Sequence, residues 1–166
     1  MINLRKLGLL EVLVFFSALY VVSTLLWTAS TRSAVEEKAN LIKSNHKTIV
    51  DFINDQINKC DKGNEHSKTI WGDLCNDTWS SQKIIKYINI NLNLKNPYSK
   101  SSSIVMSAQD PRLQAEGKAG QSTEMGIIFL SSKDFDSDPG SEWVIGTCVK
   151  SPCVAAGNNE LTSIYR

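Results

Sequence analysis

Between Leu9 and Cys60 the chain has neither proline nor glycine, although it carries 4 prolines and 9 glycines in all. Nothing in that stretch is of the type that breaks a helix. Charge is scarce at its start as well: from Leu9 to Ala29 the only formally charged residue is Glu11. Neither sign dominates the whole chain, whose formal net charge is +1. There is thus no bulk electrostatic case for nucleic acid or for an acidic substrate. Also missing are a nucleophile–base motif, a phosphate-binding loop and a dinucleotide fingerprint, so catalysis is not expected. The 2 histidines do not sit beside the 4 cysteines, and the cysteine spacings match no common zinc pattern.

What is present begins with the apolar run. As a helix, Leu9–Ala29 would extend roughly 31 Å, about the hydrocarbon thickness of a bilayer. Arg5 and Lys6 precede it and favour a cytoplasmic amino terminus, with the rest of the chain outside. A cleaved secretory signal peptide is one reading. Against it stand the length of the run, the carboxylate inside it and poor cleavage sites, of which only Thr28-Ala29-Ser30 is tolerable. A plain uncleaved anchor is another, because Glu11 lies near the cytoplasmic edge of the run and could snorkel.

The run does not stop where a signal peptide should. Val35, Ala39, Ile42, His46, Ile49, Ile53, Ile57 and Cys60 recur every three or four residues, one face of a continuing amphipathic helix. His46 on this stripe reads as a partly buried packing residue rather than a ligand. Residues 9–59 would make one rod of roughly 76 Å.

These features resemble a type IV pilin or pseudopilin: a short basic leader ending in Gly8, then "LLEVLV", an apolar helix, and an amphipathic continuation into a cysteine-bearing domain. The resemblance implies division into a leader (1–8), a transmembrane and filament-core helix (9–30), its amphipathic continuation (31–60) and an exported domain (61–166). It implies that a prepilin peptidase cuts between Gly8 and Leu9 and methylates the new terminus. The implied partners are inner-membrane assembly machinery and copies of itself or other pilins; the membrane holds the chain before assembly. The precursor would lie in the inner membrane with a periplasmic domain, the assembled form in a periplasm-spanning or extracellular filament. Glu11 would pair with the α-amino group of a neighbouring subunit in an apolar core, where charge pairing rewards correct register. In the family this glutamate usually stands fifth after the cut; here it is third. The rival class is a single-pass anchored periplasmic binding or sensor domain.

For the exported part the expected fold is α+β, a long amino-terminal helix packed on a small antiparallel sheet. A short helix is expected from Ser80/Ser81 to about Tyr87, followed by extended chain over Ile88, Ile90, Leu92 and Leu94. Asn96-Pro97-Tyr98 reads as a turn, and strands are expected at 103–107, 125–131, 143–149 and 160–165. The cysteines form two local pairs, and of three connectivities the nearest-neighbour one, Cys60–Cys75 with Cys148–Cys153, is preferred in an oxidising compartment. The resemblance implies that the second loop lies on a filament exterior.

Two further stretches could carry chemistry. Asp134, Asp136 and Asp138 alternate beside Glu142, as hard oxygen donors for calcium would, yet Pro139 and Ile145 exclude an EF-hand. Either a calcium loop, found late in some pseudopilins, or an ordinary solvated acidic turn fits. Lys95 and Lys100 flank a serine-rich stretch that reads as surface loop rather than as a nucleic-acid contact. No other cofactor is expected.

Overall fold

The computed structural model describes residues 8–63, 67–99, 103–118, 125–133 and 139–166. The elements are α1 (Leu9–Asp61), α2 (Ser81–Asn91), β1 (Val105–Met106), α3 (Pro111–Ala115), β2 (Ile128–Ser132), β3 (Glu142–Cys148) and β4 (Asn159–Tyr165). The fold is α+β. The chain divides into two compact units, Met1–Glu37 and Lys38–Arg166, and α1 contributes residues to both.

In the first unit, α1 exposes apolar side chains on every side. Leu13, Phe15, Phe16, Tyr20, Leu25 and Leu26 are all exposed, and Trp27 is 74% exposed. Five serine and threonine hydroxyls here are satisfied locally. Ser17, Ser23, Thr24, Thr28 and Thr31 donate to backbone carbonyls three or four residues back at 2.8–3.1 Å. Such back-bonding leaves these five hydroxyl donors in no need of water.

In the second unit the expected stripe packs onto the domain, starting at Ala39. Ala39, Ile42, His46, Ile49 and Ile53 are buried, whereas Val35 is exposed. Ile49 and Ile53 share one core with Trp79, Ile84 and Ile88, and with Ile128, Leu130, Trp143, Ile145 and Ile164 of the sheet. Within that core Trp79 stacks on Trp143 at 5.5 Å and meets Trp71 edge-on at 5.2 Å.

The sheet runs in the order β1-β2-β3-β4, with β2, β3 and β4 antiparallel. It is mixed rather than purely antiparallel, because β1 pairs with β2 in parallel through Val105↔Ile128 and Met106↔Phe129. The parallel pairing is possible because chain including α3 intervenes between the two strands. Asp110 accepts a hydrogen bond from Arg112 N–H at 2.8 Å, and Pro111 occupies the first turn, so α3 has both an N-cap and a favoured start. It lies against β3 at Gly146, where a Cβ would come within 2.0 Å of the Pro111 carbonyl oxygen. Only glycine permits that approach.

The helix expected to end near Tyr87 continues to Asn91. Two patterns overlap in the sequence, Ile84/Ile88 at helical spacing and Ile88/Ile90/Leu92/Leu94 at strand spacing. Burial of Ile84 and Ile88 in the core selects the first and leaves Ile90 70% exposed. The Asn96-Pro97-Tyr98 turn forms as expected. Tyr98 N–H donates to Asn96 Oδ1 at 2.9 Å, and the Asn96 amide donates to Met125 O at 3.0 Å.

Candidate functional site

The residues singled out for processing and assembly lie at the start of α1. Gly8 precedes the first helical residue, which makes it the N-cap and places Leu9, Leu10 and Glu11 at the first three helical positions. The Gly8 carbonyl accepts from Glu11 N–H at 3.0 Å and from Val12 N–H at 3.2 Å. In return Gly8 N–H donates to Glu11 Oε2 at 3.0 Å. This is the glutamate half of a capping box, a carboxylate satisfying a donor that the helix start leaves orphaned. It also sets negative charge at the positive end of the helix dipole. Glu11 therefore contacts the residue just before the expected cut, a role that its type and position permit.

By length and composition α1 is the one helix among the described residues able to cross a membrane, and it fits a membrane anchor. Its only acidic residue in the first turn is Glu11.

The cysteines pair as preferred. Cys60 and Cys75 form one disulfide with Cα atoms 5.1 Å apart, Cys148 and Cys153 the other at 5.2 Å. The first ties the end of α1 to a loop that is itself closely bonded. Cys75 N–H donates to Ser67 O at 2.8 Å, and Thr69 and Asp73 exchange backbone and side-chain bonds at 2.8–3.1 Å. The buried Asp73 carboxylate accepts from Ser80 N–H at 3.0 Å and pairs with Lys83. The second closes the turn after β3, where Asn158 donates to Pro152 O at 2.9 Å and Val149 N–H to Asn158 O at 2.8 Å.

His46 is buried as expected, but it is also bonded. Its ring nitrogens lie 2.9 Å from Thr147 Oγ1 on β3 and 2.9 Å from Thr162 Oγ1 on β4. Burial lowers its pKa to about 4, opposed in part by the Glu160 carboxylate, which is 3.3 Å from Lys43. Asn45 and Gln56 share the buried side of α1; Asn45 donates to Lys95 O at 3.0 Å, and Gln56 accepts from Ile70 N–H at 3.4 Å. Hydropathy patterning passes over these two residues, because amides on an apolar stripe look like breaks in it.

Asp134, Asp136, Asp138 and Lys100 lie outside the described residues. Glu142, their neighbour in the acidic stretch, pairs with Lys133 at 2.9 Å. Among the described residues no three His, Cys, Asp or Glu side chains converge as a metal site would require. Comparison with family models, with curated proteins and with solved structures returns no match.

Proposed function

We propose that this chain is a structural subunit, a pilin of a type IV pilus or of a type II secretion pseudopilus, processed after Gly8 and assembled through the first half of α1. One observation carries the reading. A helix exposes apolar side chains all round over Val12–Trp27, carries a single carboxylate in its first turn, and then runs on into a domain where its side chains are buried. Such a segment needs lipid before assembly and similar helices after it, and its back-bonded hydroxyls suit both surroundings.

The cap gives Glu11 two successive partners. In the precursor the carboxylate accepts from Gly8 N–H. Cleavage after Gly8 removes that donor and creates a charged amino group on Leu9. The carboxylate, left in apolar surroundings, then takes an amino terminus as its partner, and an unpaired charge there is strongly disfavoured. The position of Glu11, third after the cut, places it on the turn that the cut exposes.

The test is substitution at both residues in the intact chain. Gly8→Val should leave full-length precursor in the membrane, and normal maturation of that variant would remove the processing site from the account. Glu11→Gln keeps an acceptor for the helix start but no charge. It should insert normally yet give far fewer sheared surface filaments than wild type. Wild-type filament yield from Glu11→Gln would reduce Glu11 to a helix cap, whereas filaments from neither protein would favour an anchored periplasmic binding or sensor domain.

A further inference from the structure

The two ends of the sheet differ. β1 is two residues long, and its outer backbone is already occupied. The Asn89 side chain on α2 accepts from the Ile104 and Val105 N–H groups at 3.2 and 3.1 Å and donates to the Val105 carbonyl at 2.7 Å. An asparagine amide thus stands where the peptide of a neighbouring strand would otherwise bind.

β4, at the other end, is seven residues long. Arg166 N–H donates to Ser141 O at 3.0 Å, one step beyond the Glu142↔Tyr165 pair. Alternation along an antiparallel ladder then turns the backbone groups of Glu160, Thr162 and Ile164 toward β3, and those of Leu161, Ser163 and Tyr165 away from it. Among the described residues nothing bonds to these outward N–H and C=O groups. The side chains alternate too. Thr162 bonds His46 and Ile164 is buried, while Leu161 and Tyr165 are 49% and 64% exposed.

We propose that β4 pairs with β4 of a second copy of this chain, antiparallel about a two-fold axis at Ser163. In that register Leu161 faces the second copy's Tyr165, and Glu160, already paired with Lys43, faces the second copy's Arg166, whose guanidinium already donates to Asp77 O and lies over the Trp79 ring; each contact occurs twice. The apolar Leu161–Tyr165 pair carries the register, because apolar pairs directly across an antiparallel ladder favour association. Centring the axis on Thr162 would keep the backbone bonds but set Leu161 against serine and Glu160 against isoleucine, and side-chain match decides register. Because Asn89 covers the β1 end, no copy can add β4 to β1. The pairing therefore closes at two copies instead of growing into an open sheet. This inference is independent of the pilin reading.

The test uses the full-length chain in detergent. The described cysteines are all paired, so Ser163→Cys introduces one free thiol at the axis. Residues facing each other in a hydrogen-bonded pair have Cα atoms about 5.5 Å apart, within disulfide range. Mild oxidation with copper phenanthroline should give a disulfide-linked dimer about tenfold faster than for Leu113→Cys or Ile90→Cys, which place thiols on α3 and α2. Adding Leu161→Glu to Ser163→Cys should return the rate to that of the controls. Cross-linking at Ser163→Cys no faster than at the controls, as association through α1 alone would produce, overturns the proposal. So does a fast rate that Leu161→Glu leaves unchanged.

Discussion

The two halves of α1 solve opposite solvation problems with the same backbone. Up to Trp27 apolar side chains face outward, and serine and threonine hydroxyls bond within the helix itself. From Ala39 onward a single face is buried, and its polar residues reach other elements: Asn45 to Lys95, His46 to Thr147 and Thr162, Gln56 to Ile70. Locally satisfied polar groups leave a helix free to change neighbours, whereas cross-element bonds fix it to one. The first half is thus suited to exchanging lipid for protein, and the second to holding one domain in one register.

Mutation should separate the halves most clearly at the core. Ile53→Ala should destabilise the Lys38–Arg166 unit by about 2–5 kcal/mol, because it empties a fully buried site. Phe16→Ala, in the exposed half, should leave the denaturant midpoint of that unit where it is. Equal loss from both would erase the distinction.

A smaller effect is expected at the end of the helix. Cys60→Ser combined with Cys75→Ser opens a closure of sequence separation 15 and should cost about 3 kcal/mol in the chain-entropy picture. Denaturant unfolding of the oxidised and doubly substituted proteins measures it, and peptide mapping without reductant should recover Cys60 with Cys75 and Cys148 with Cys153.

The third effect depends on pH. The His46 pKa falls from 6.5 to about 4 in the folded chain, through burial. Between those values the unfolded chain binds a proton that the folded chain does not. Stability should therefore fall as pH drops from 6.5 toward 4 and level off below, by at most about 3 kcal/mol. His46→Gln should flatten that portion of the stability–pH curve, and an unchanged slope would assign it to other groups.

The sequence made some of this legible and hid the rest for identifiable reasons. The extent of α1 followed from the absence of glycine and proline, and its buried face from Ala39, Ile42, Ile49 and Ile53. The cysteine pairs and the four strand positions were also readable from local spacing and turn residues. The end of α2 was not, because Ile88 belongs to a helical and a strand pattern at once, and only the core around it decides. The short α3 did carry a signal in Asp110-Pro111, an N-cap followed by a helix-starting proline. The parallel pairing of β1, the Asn89 clasp on its edge and the threonine partners of His46 rest on residues far apart in the chain, and no local pattern encodes them. At the candidate processing site, Gly8 and Glu11 stood out by type, but their mutual hydrogen bond became visible only in the folded geometry.

The most direct test of the account is the amino-terminal peptide of the mature protein, read by mass spectrometry. A terminus at Leu9 carrying a methyl group is the predicted result. Mature protein that retains Met1 through Gly8 would contradict processing and assembly through α1, and would point instead to an anchored domain.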